Sequence, residues 1–112
     1  MQKIGKGMLT SGAECTGTLR EVDSVPDVLR LMSTDLSDVI LYMKSASVTA
    51  VTPLCAKIKG VICTAGGPTS HLAIVAREFD LPCVMASEID FQGTLDGQTV
   101  TFNREGDIFL ES

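Results

Sequence analysis

Three short apolar runs without polar alternation stand out along the chain, at residues 39–43, 61–63 and 83–85. A strand with one face in water alternates apolar and polar residues, whereas a strand covered on both faces does not. The three runs therefore predict buried central strands. The second of them leads almost directly into a pair of glycines, Gly66 and Gly67.

The amino-terminal pattern is less regular. Gly5, Gly7 and Gly12 punctuate the first dozen residues, which predicts a loop with a short strand at most. Residues 13–22 mix apolar and threonine positions, and this pattern predicts a strand.

Two short helices are predicted between the strands, each with a start signal and an apolar face. The first begins at Ser24 with Pro26 just inside it, and the second begins at Thr52 and ends at Gly60. The predicted inward-facing residues are Val28, Leu29 and Met32 in the first helix and Leu54, Cys55 and Ile58 in the second.

A third helix is predicted after the glycine pair, because apolar residues recur there at i, i+3, i+4 and i+7. This stripe consists of Leu72, Val75, Ala76 and Phe79. Arg77 and Glu78 lie away from it and are expected to face solvent.

The carboxyl-terminal pattern predicts a closing hairpin from residues 99–102 and 108–110, after a turn at Asp96 and Gly97. Strands and short helices alternate in the centre of the chain. The sequence therefore predicts an α/β or α+β fold, with residues 1–112 forming a single domain.

Composition narrows the classes of function. The net charge is −5, and the nine Lys and Arg residues are scattered along the chain. Nucleic-acid binding needs a basic face that displaces counterions, and the sequence has none. No signal peptide opens the chain and no apolar run approaches a membrane span. We expect a cytoplasmic protein that binds neither nucleic acid nor membrane.

The four cysteines, Cys15, Cys55, Cys63 and Cys83, lie among apolar neighbours and form no Cys-x-x-Cys pair. With a single histidine in the chain they make no convincing zinc set, so no metal site is predicted. Free cysteines behave as small buried hydrophobic residues, which is the expectation here.

The single histidine, His71, follows the glycine pair and two hydroxyl residues, Thr69 and Ser70. Thr69 or Ser70 is the expected N-cap, which places His71 in the first helical turn. There the helix dipole disfavours imidazolium, and a neutral ring keeps a lone pair for nucleophilic attack. The same dipole, the free amides and the two glycines would accommodate a phosphoryl group. These features predict phosphoryl transfer onto His71 and off again.

A plainer interpretation of His71 is also open. A histidine at a helix start can be an ordinary capping or surface residue, and a glycine turn before a helix occurs in many folds without a ligand. The combination Gly-Gly-x-Thr-Ser-His is much rarer than either part, and it favours a functional site.

The segment from Gly66 to Glu78, followed by residues 81–84, resembles the active-site signature of the mobile domain of PEP-utilising enzymes. Pyruvate phosphate dikinase, phosphoenolpyruvate synthase, enzyme I of the sugar phosphotransferase system and rifampicin phosphotransferase share this domain. The resemblance extends over essentially the whole chain, although its specific part is the motif. It implies a swivelling β/β/α phosphohistidine domain that moves between two distant sites.

The resemblance also implies roles for individual residues. His71 would carry the phosphoryl group, in a phosphate environment formed by Gly66, Gly67, Thr69, Ser70 and Arg77. For Arg77, phosphate contact, partner docking and a structural salt bridge all stay open. No cofactor is expected on this chain alone. Mg and ATP or PEP are expected on partners, an ATP-grasp nucleotide-binding domain and a barrel domain that handles pyruvate and PEP.

Two positions depart from the family pattern. Asp80 stands where the family usually has Gly, and Ala86 stands where a Gly often ends the Pro-x-Val-x run. Neither residue would touch the nucleophile, so the departures concern loop geometry rather than chemistry.

The leading hypothesis is a phosphocarrier, the mobile domain or subunit of a dikinase-like or synthase-like phosphotransferase that is inactive without partners. It would be a stand-alone subunit or an excised domain, and a chain that begins with Met1 and spans one domain fits a separate subunit. The alternative is a non-catalytic regulatory or interaction module that keeps the fold without the transfer chemistry. A thiol-redox or metal protein is a third hypothesis, which rests only on the cysteines.

Overall fold

Seven strands and three short helices form the computed structural model, which describes residues 2–44, 49–67 and 69–111. The strands are β1 (Gln2–Ser11), β2 (Cys15–Val22), β3 (Val39–Met43), β4 (Gly60–Cys63), β5 (Cys83–Ile89), β6 (Thr99–Phe102) and β7 (Asp107–Leu110). The α-helices are α1 (Val25–Leu31) and α2 (His71–Glu78), and a 3₁₀ helix spans Thr49–Ala56.

The strands close into one barrel in the order β1-β5-β4-β3-β2-β6-β7. The pairs β2–β3, β3–β4 and β4–β5 are parallel, and the remaining pairs are antiparallel. A parallel pair needs a crossover connection, and each of the three helices lies in one such crossover. The carboxyl ends of the parallel strands therefore share one rim of the barrel, and the glycine pair follows β4 at that rim.

Two apolar clusters fill the molecule, one inside the barrel and one between the barrel and the helices. The interior cluster includes six residues with 0% exposure: Leu19, Ile40, Ile62, Val84, Phe102 and Ile108. The outer cluster joins alternate residues of the central strands to the helices. It includes Leu41, Met43, Val61, Cys63, Cys83, Met85, Leu54, Leu72 and Ala76.

The three buried strands predicted from apolar runs are confirmed. Every residue of β3 and of β4 is buried, because one face of each strand lines the barrel and the other lies under the helices. The carboxyl-terminal hairpin is confirmed as β6 and β7. The mixed strand-and-helix class is also confirmed. Because all seven strands close into one barrel, a separate β/β/α layering stays an expectation from the resemblance.

The prediction for the amino terminus was wrong. Residues 2–11 form a ten-residue strand, β1, where a loop with a short strand was predicted. Its two neighbours are β5 and β7, which are distant in sequence. Gly7 suits this place because a Cβ atom there would lie 2.5 Å from Val84 Cγ1 and 2.9 Å from Ser87 Cα. Gly5 and Gly7 thus mark close strand contact, whereas Gly12, with a φ of 72°, lies after the end of β1.

Three residues assigned to apolar helix faces are exposed: Leu29 at 61%, Met32 at 53% and Phe79 at 48%. Helix α1 has only seven residues and reaches the core through Val28, with Leu31 partly packed beside it. Phe79 is the C-cap of α2, where the backbone has left helical geometry, so the helical period no longer directs its side chain. Ala73 is buried instead.

The second predicted helix is present, but it is a 3₁₀ helix that ends at Ala56 rather than at Gly60. Gly60 is the first residue of β4. The predicted inward residues Leu54, Cys55 and Ile58 are all buried, which confirms that part of the prediction.

Asp80 and Ala86, the two departures from the family glycines, are the two non-glycine residues with positive φ in the part of the chain described, at 53° and 52°. Asp80 follows the C-cap of α2. The Leu81 amide donates to the Ala76 carbonyl at 2.8 Å and the Asp80 amide donates to the Arg77 carbonyl at 3.2 Å. These two bonds form a Schellman motif, whose left-handed position usually holds glycine.

Ala86 lies in a β-bulge of β5. Lys6 pairs with Glu88 and Met8 pairs with Met85, so Ala86 and Ser87 together face the single residue Gly7. A bulge of this kind usually has a glycine in left-handed conformation at its first position. The Schellman motif and the β-bulge therefore both form here without the glycine that each of them favours.

We expect Ala86→Gly to raise the free energy of unfolding by about 1 kcal/mol, because it removes the cost of a Cβ atom in the left-handed region. Asp80→Gly should give a smaller gain, since Asp tolerates this region better than Ala. Urea unfolding of both variants checks this. Ala86→Val is the control, and it should destabilise the protein; a destabilising Ala86→Gly would contradict the interpretation.

The cysteines are free and buried, as expected. Burial raises the pKa of the Cys15 thiol and of the Cys83 thiol to about 11, from 9.0. The folded state therefore favours the neutral thiols, and the stability they contribute is present below pH 9 and is lost as pH rises towards 11.

We therefore expect the free energy of unfolding to fall as pH rises from about 9 to about 11, because the thiols ionise at lower pH in the unfolded chain than in the folded one. Chemical unfolding at a series of alkaline pH values measures the slope. Cys83→Ala should make that slope shallower than in the wild-type chain. Equal slopes in the two proteins would contradict the assignment to Cys83.

Candidate functional site

The site begins where β4 ends at the barrel rim. The Thr64 amide donates to the Met43 carbonyl of β3 at 2.9 Å, which holds the first residue after β4. The chain then passes through Gly66, whose φ of 80° lies in the left-handed region. Glycine adopts that conformation without the strain that a side chain would add. The turn is thereby directed from the rim towards the start of α2.

Of the two residues predicted as the N-cap of α2, Thr69 and Ser70, the structure has Ser70 in that position. Its hydroxyl donates to the Gly67 carbonyl at 2.8 Å and accepts from the Ala73 amide at 3.4 Å. The Ser70 amide also donates to the Gly67 carbonyl, at 3.0 Å. Ser70 therefore ties the glycine turn to the first turn of the helix, and its hydroxyl is used within the protein.

His71 is the first residue of α2, and its side chain is exposed. The opposite side of the helix is anchored in the outer cluster through Leu72, Ala73, Val75 and Ala76. The imidazole therefore stands on a firmly packed helix, at the end where the backbone amides have no partners within the helix. An incoming group can reach the ring from solvent.

The predicted phosphate-site residues are brought together only in part. Thr69 is exposed next to the cap, and Gly67 has open space where a Cβ atom would be built. Pro68 lies outside the described residues. Gly66, Gly67, Thr69 and Ser70 thus all lie between the end of β4 and His71.

The backbone of Arg77 lies at the other end of α2 from this turn. It lies in the last turn of α2, six residues beyond His71, which corresponds to about 9 Å along a helix axis. Burial raises the pKa of the Cys83 thiol, and the Arg77 charge lowers it by less than the hydrogen bond from Thr10 does. Phosphate contact by Arg77 stays a prediction, and the fold places this residue at the opposite end of the helix from the cap.

The thiols below the helix are poor nucleophiles. Burial raises the pKa of Cys63, against a smaller lowering by a hydrogen bond from the Ala65 backbone, and it also raises that of Cys55.

No group of three or more His, Cys, Asp or Glu among the described residues could hold a metal ion. Within residues 2–44, 49–67 and 69–111, no helix is long and apolar enough to cross a membrane.

One residue at the rim was missed by the sequence analysis. Ser87 of β5 is buried, and its hydroxyl donates to the Cys63 carbonyl at 2.9 Å. The two residues are 24 positions apart. No local pattern predicts this contact, although the departure at Ala86 marks the place where β5 becomes irregular.

The family of PEP-utilising enzyme mobile domains matches residues 36–105, well over half of the chain. The chain belongs to this family, and it is a domain related to phosphotransfer. The match covers β3 to β6 and includes the whole His71 turn. Mobile domains of this family work with partner domains in multidomain enzymes.

Two curated relatives are much longer than this chain. Chondramide synthase cmdD of Chondromyces crocatus is 30% identical over 99 residues, which cover 88% of this chain and 2% of the relative. Rifampicin phosphotransferase of Bacillus subtilis (strain 168) is 34% identical over 73 residues, or 65% of this chain and 8% of the relative. The chain therefore spans less than a tenth of the length of either protein.

Solved structures share the fold at low sequence identity. Aconitase X of Thermococcus kodakaraensis, in its holo-form, is similar with a TM-score of 0.62 and 17% identity, over 96% of this chain and 98% of that chain. The N-terminal domain of Enzyme 1 - Nitrogen is similar with a TM-score of 0.52 and 22% identity, over 69% of this chain and 32% of that chain. At such identities these likenesses show the fold alone.

We expect Ser70→Ala to lower the free energy of unfolding by about 1 kcal/mol, because the helix loses its side-chain cap and the turn loses a hydrogen bond. Thermal or urea unfolding measures the loss. Thr69→Ala is the matched control, since Thr69 is exposed one residue earlier, and it should change stability by less than about 0.5 kcal/mol. Equal losses would show that Ser70 does not hold the turn.

Proposed function

We propose that this domain is a phosphoryl carrier in which His71 is transiently phosphorylated. The observation that carries the proposal is an exposed imidazole at the first position of α2, directly after a glycine turn. Backbone amides at a helix amino terminus favour bound anions, so this position would stabilise a phosphoryl group on the ring. Membership of the PEP-utilising mobile domain family supports the same chemistry.

In the proposed cycle, a ring nitrogen of His71 attacks the phosphorus of the donor. The N–P bond forms as the P–O bond to the donor's leaving group breaks, and the ring gives up its N–H proton. An acceptor oxygen then attacks the same phosphorus, the N–P bond breaks, and the ring takes up a proton to regenerate the neutral imidazole. The nucleophile thereby divides one transfer between distant sites into two steps.

The donor and acceptor sites would lie on partners. We propose ATP or PEP as the donor, with Mg at the partner site, and an ATP-grasp domain or a pyruvate-type barrel as the partner. The domain would swivel between them. The exposed position of His71 supports this arrangement, because no described element covers the ring.

The experiment that tests the proposal needs no partner. Phosphoramidate is a small donor whose P–N bond breaks with loss of ammonia when an imidazole nitrogen attacks its phosphorus. We expect the 112-residue chain to gain one phosphoryl group that is labile in acid and stable in base. Intact-mass spectrometry and ³¹P NMR measure the adduct.

His71→Ala should form no such adduct, and no other histidine is present to replace it. The variant should remain folded, because the ring is exposed and Ser70 provides the cap. If the folded wild-type chain gains no phosphoryl group, the carrier proposal is wrong. The alternative of a non-catalytic regulatory or interaction module would then be favoured.

A further inference from the structure

Apart from the aromatic Tyr42, Ser87 is the only buried polar or charged residue in the described part of the chain, with 3% exposure. Its hydroxyl donates to the Cys63 carbonyl at 2.9 Å. Cys63 is the last residue of β4, and the glycine turn of the site begins directly after it. A buried hydroxyl is therefore bonded to the point where the functional turn leaves the barrel.

The need for this hydrogen bond follows from the strand pairing. The Val61 amide donates to the Pro82 carbonyl, so the backbone of Val61, and by alternation that of Cys63, faces β5. The pairing of β4 with β5 has its last register position at Ile62 and Val84. Beyond that position the Ser87 hydroxyl donates to the Cys63 carbonyl. In a continued ladder, a backbone amide of β5 would donate to this carbonyl instead.

The bulge at Ala86 makes this contact possible. With its φ of 52°, Ala86 adds one residue to β5 opposite Gly7. Ala86 is exposed and Ser87 is buried, so the extra residue turns the serine rather than the alanine towards the core. The bulge thus replaces a backbone bond at the end of β4 with a side-chain bond.

Two hydrogen bonds then hold the start of the turn from opposite sides. On the β3 side the Thr64 amide bonds to the Met43 carbonyl at 2.9 Å, and on the β5 side the Ser87 hydroxyl bonds to Cys63. The far end of the turn is held at Ser70. Between these anchors lies Gly66 at positive φ, so the position of the glycine backbone depends on how well each end is fixed.

We propose that Ser87 is a positioning residue for the His71 site. Through the Cys63 carbonyl it sets where the amides of the glycine turn lie relative to the ring. The proposal rests on the carrier function proposed above, because it concerns the rate at which a phosphoryl group is taken up.

The main test compares Ser87→Ala with Ser11→Ala in the 112-residue chain. Ser11 is the matched control, because its hydroxyl also donates to a backbone carbonyl, that of Leu81 at 2.6 Å, but does so away from the turn. We expect Ser87→Ala to form the His71 adduct from phosphoramidate about tenfold more slowly, since small misplacements of a site cost rate. Ser11→Ala should react at the wild-type rate, with unfolding measured in parallel.

Ser87→Thr provides the rescue, because it keeps the hydroxyl and should restore most of the rate. If Ser87→Ala does not fold, Ser87→Cys replaces it, since a thiol keeps the volume but is a weak donor. Wild-type rates in a folded Ser87→Ala or Ser87→Cys would overturn the positioning role and leave the carrier function intact.

Amide hydrogen exchange is a second measurement that needs no phosphoryl transfer. We expect the amides of Thr64 and Ser70, which donate to the Met43 and Gly67 carbonyls at the two ends of the turn, to exchange about tenfold faster in Ser87→Ala and at the wild-type rate in Ser11→Ala. If the wild-type chain takes up no phosphoryl group, the carrier proposal fails, and this measurement still decides whether Ser87 holds the turn. Unchanged exchange at both of these amides would overturn the inference.

Discussion

Strand β4 is held between two parallel neighbours, and its four residues are all buried. One face of the strand lines the barrel and the other lies under α2, so the strand has no freedom to shift. A shift of one residue would exchange the two faces and place Ile62 under the helix. The glycine turn follows β4, so the position where it starts is fixed by the strand, and the position of His71 depends on it.

Helix α2 fixes the position of the His71 side chain relative to the barrel. Four of its eight residues pack on the outer cluster, while His71 stands at the amino end on the open side. The helix is too short to be stable alone, so its packing and its Ser70 cap must both contribute to its formation. The same contacts that stabilise the helix thereby orient the imidazole, with the helix amides beside it.

Asp80 and Ala86 show how the fold tolerates local strain around the site. Both residues adopt positive φ, one in the Schellman motif after α2 and one in the bulge of β5. The surrounding elements impose these conformations, because α2 must end before β5 begins and β5 must turn from β4 towards β1. The bulge also brings Ser87 to the end of β4, so an unfavourable backbone position adds a hydrogen bond next to the site.

The sequence by itself determined the central strands, the helix start and the place of His71, because apolar runs, a cap and a glycine pair are local signals. It also singled out Asp80 and Ala86, although only as departures. Tertiary structure decided the rest: β1 is a strand because β5 and β7 pair with it, and Leu29 and Met32 are exposed because α1 reaches the core through Val28. The bond from Ser87 to Cys63 joins residues 24 positions apart, and contacts at that distance follow from strand order rather than from local pattern.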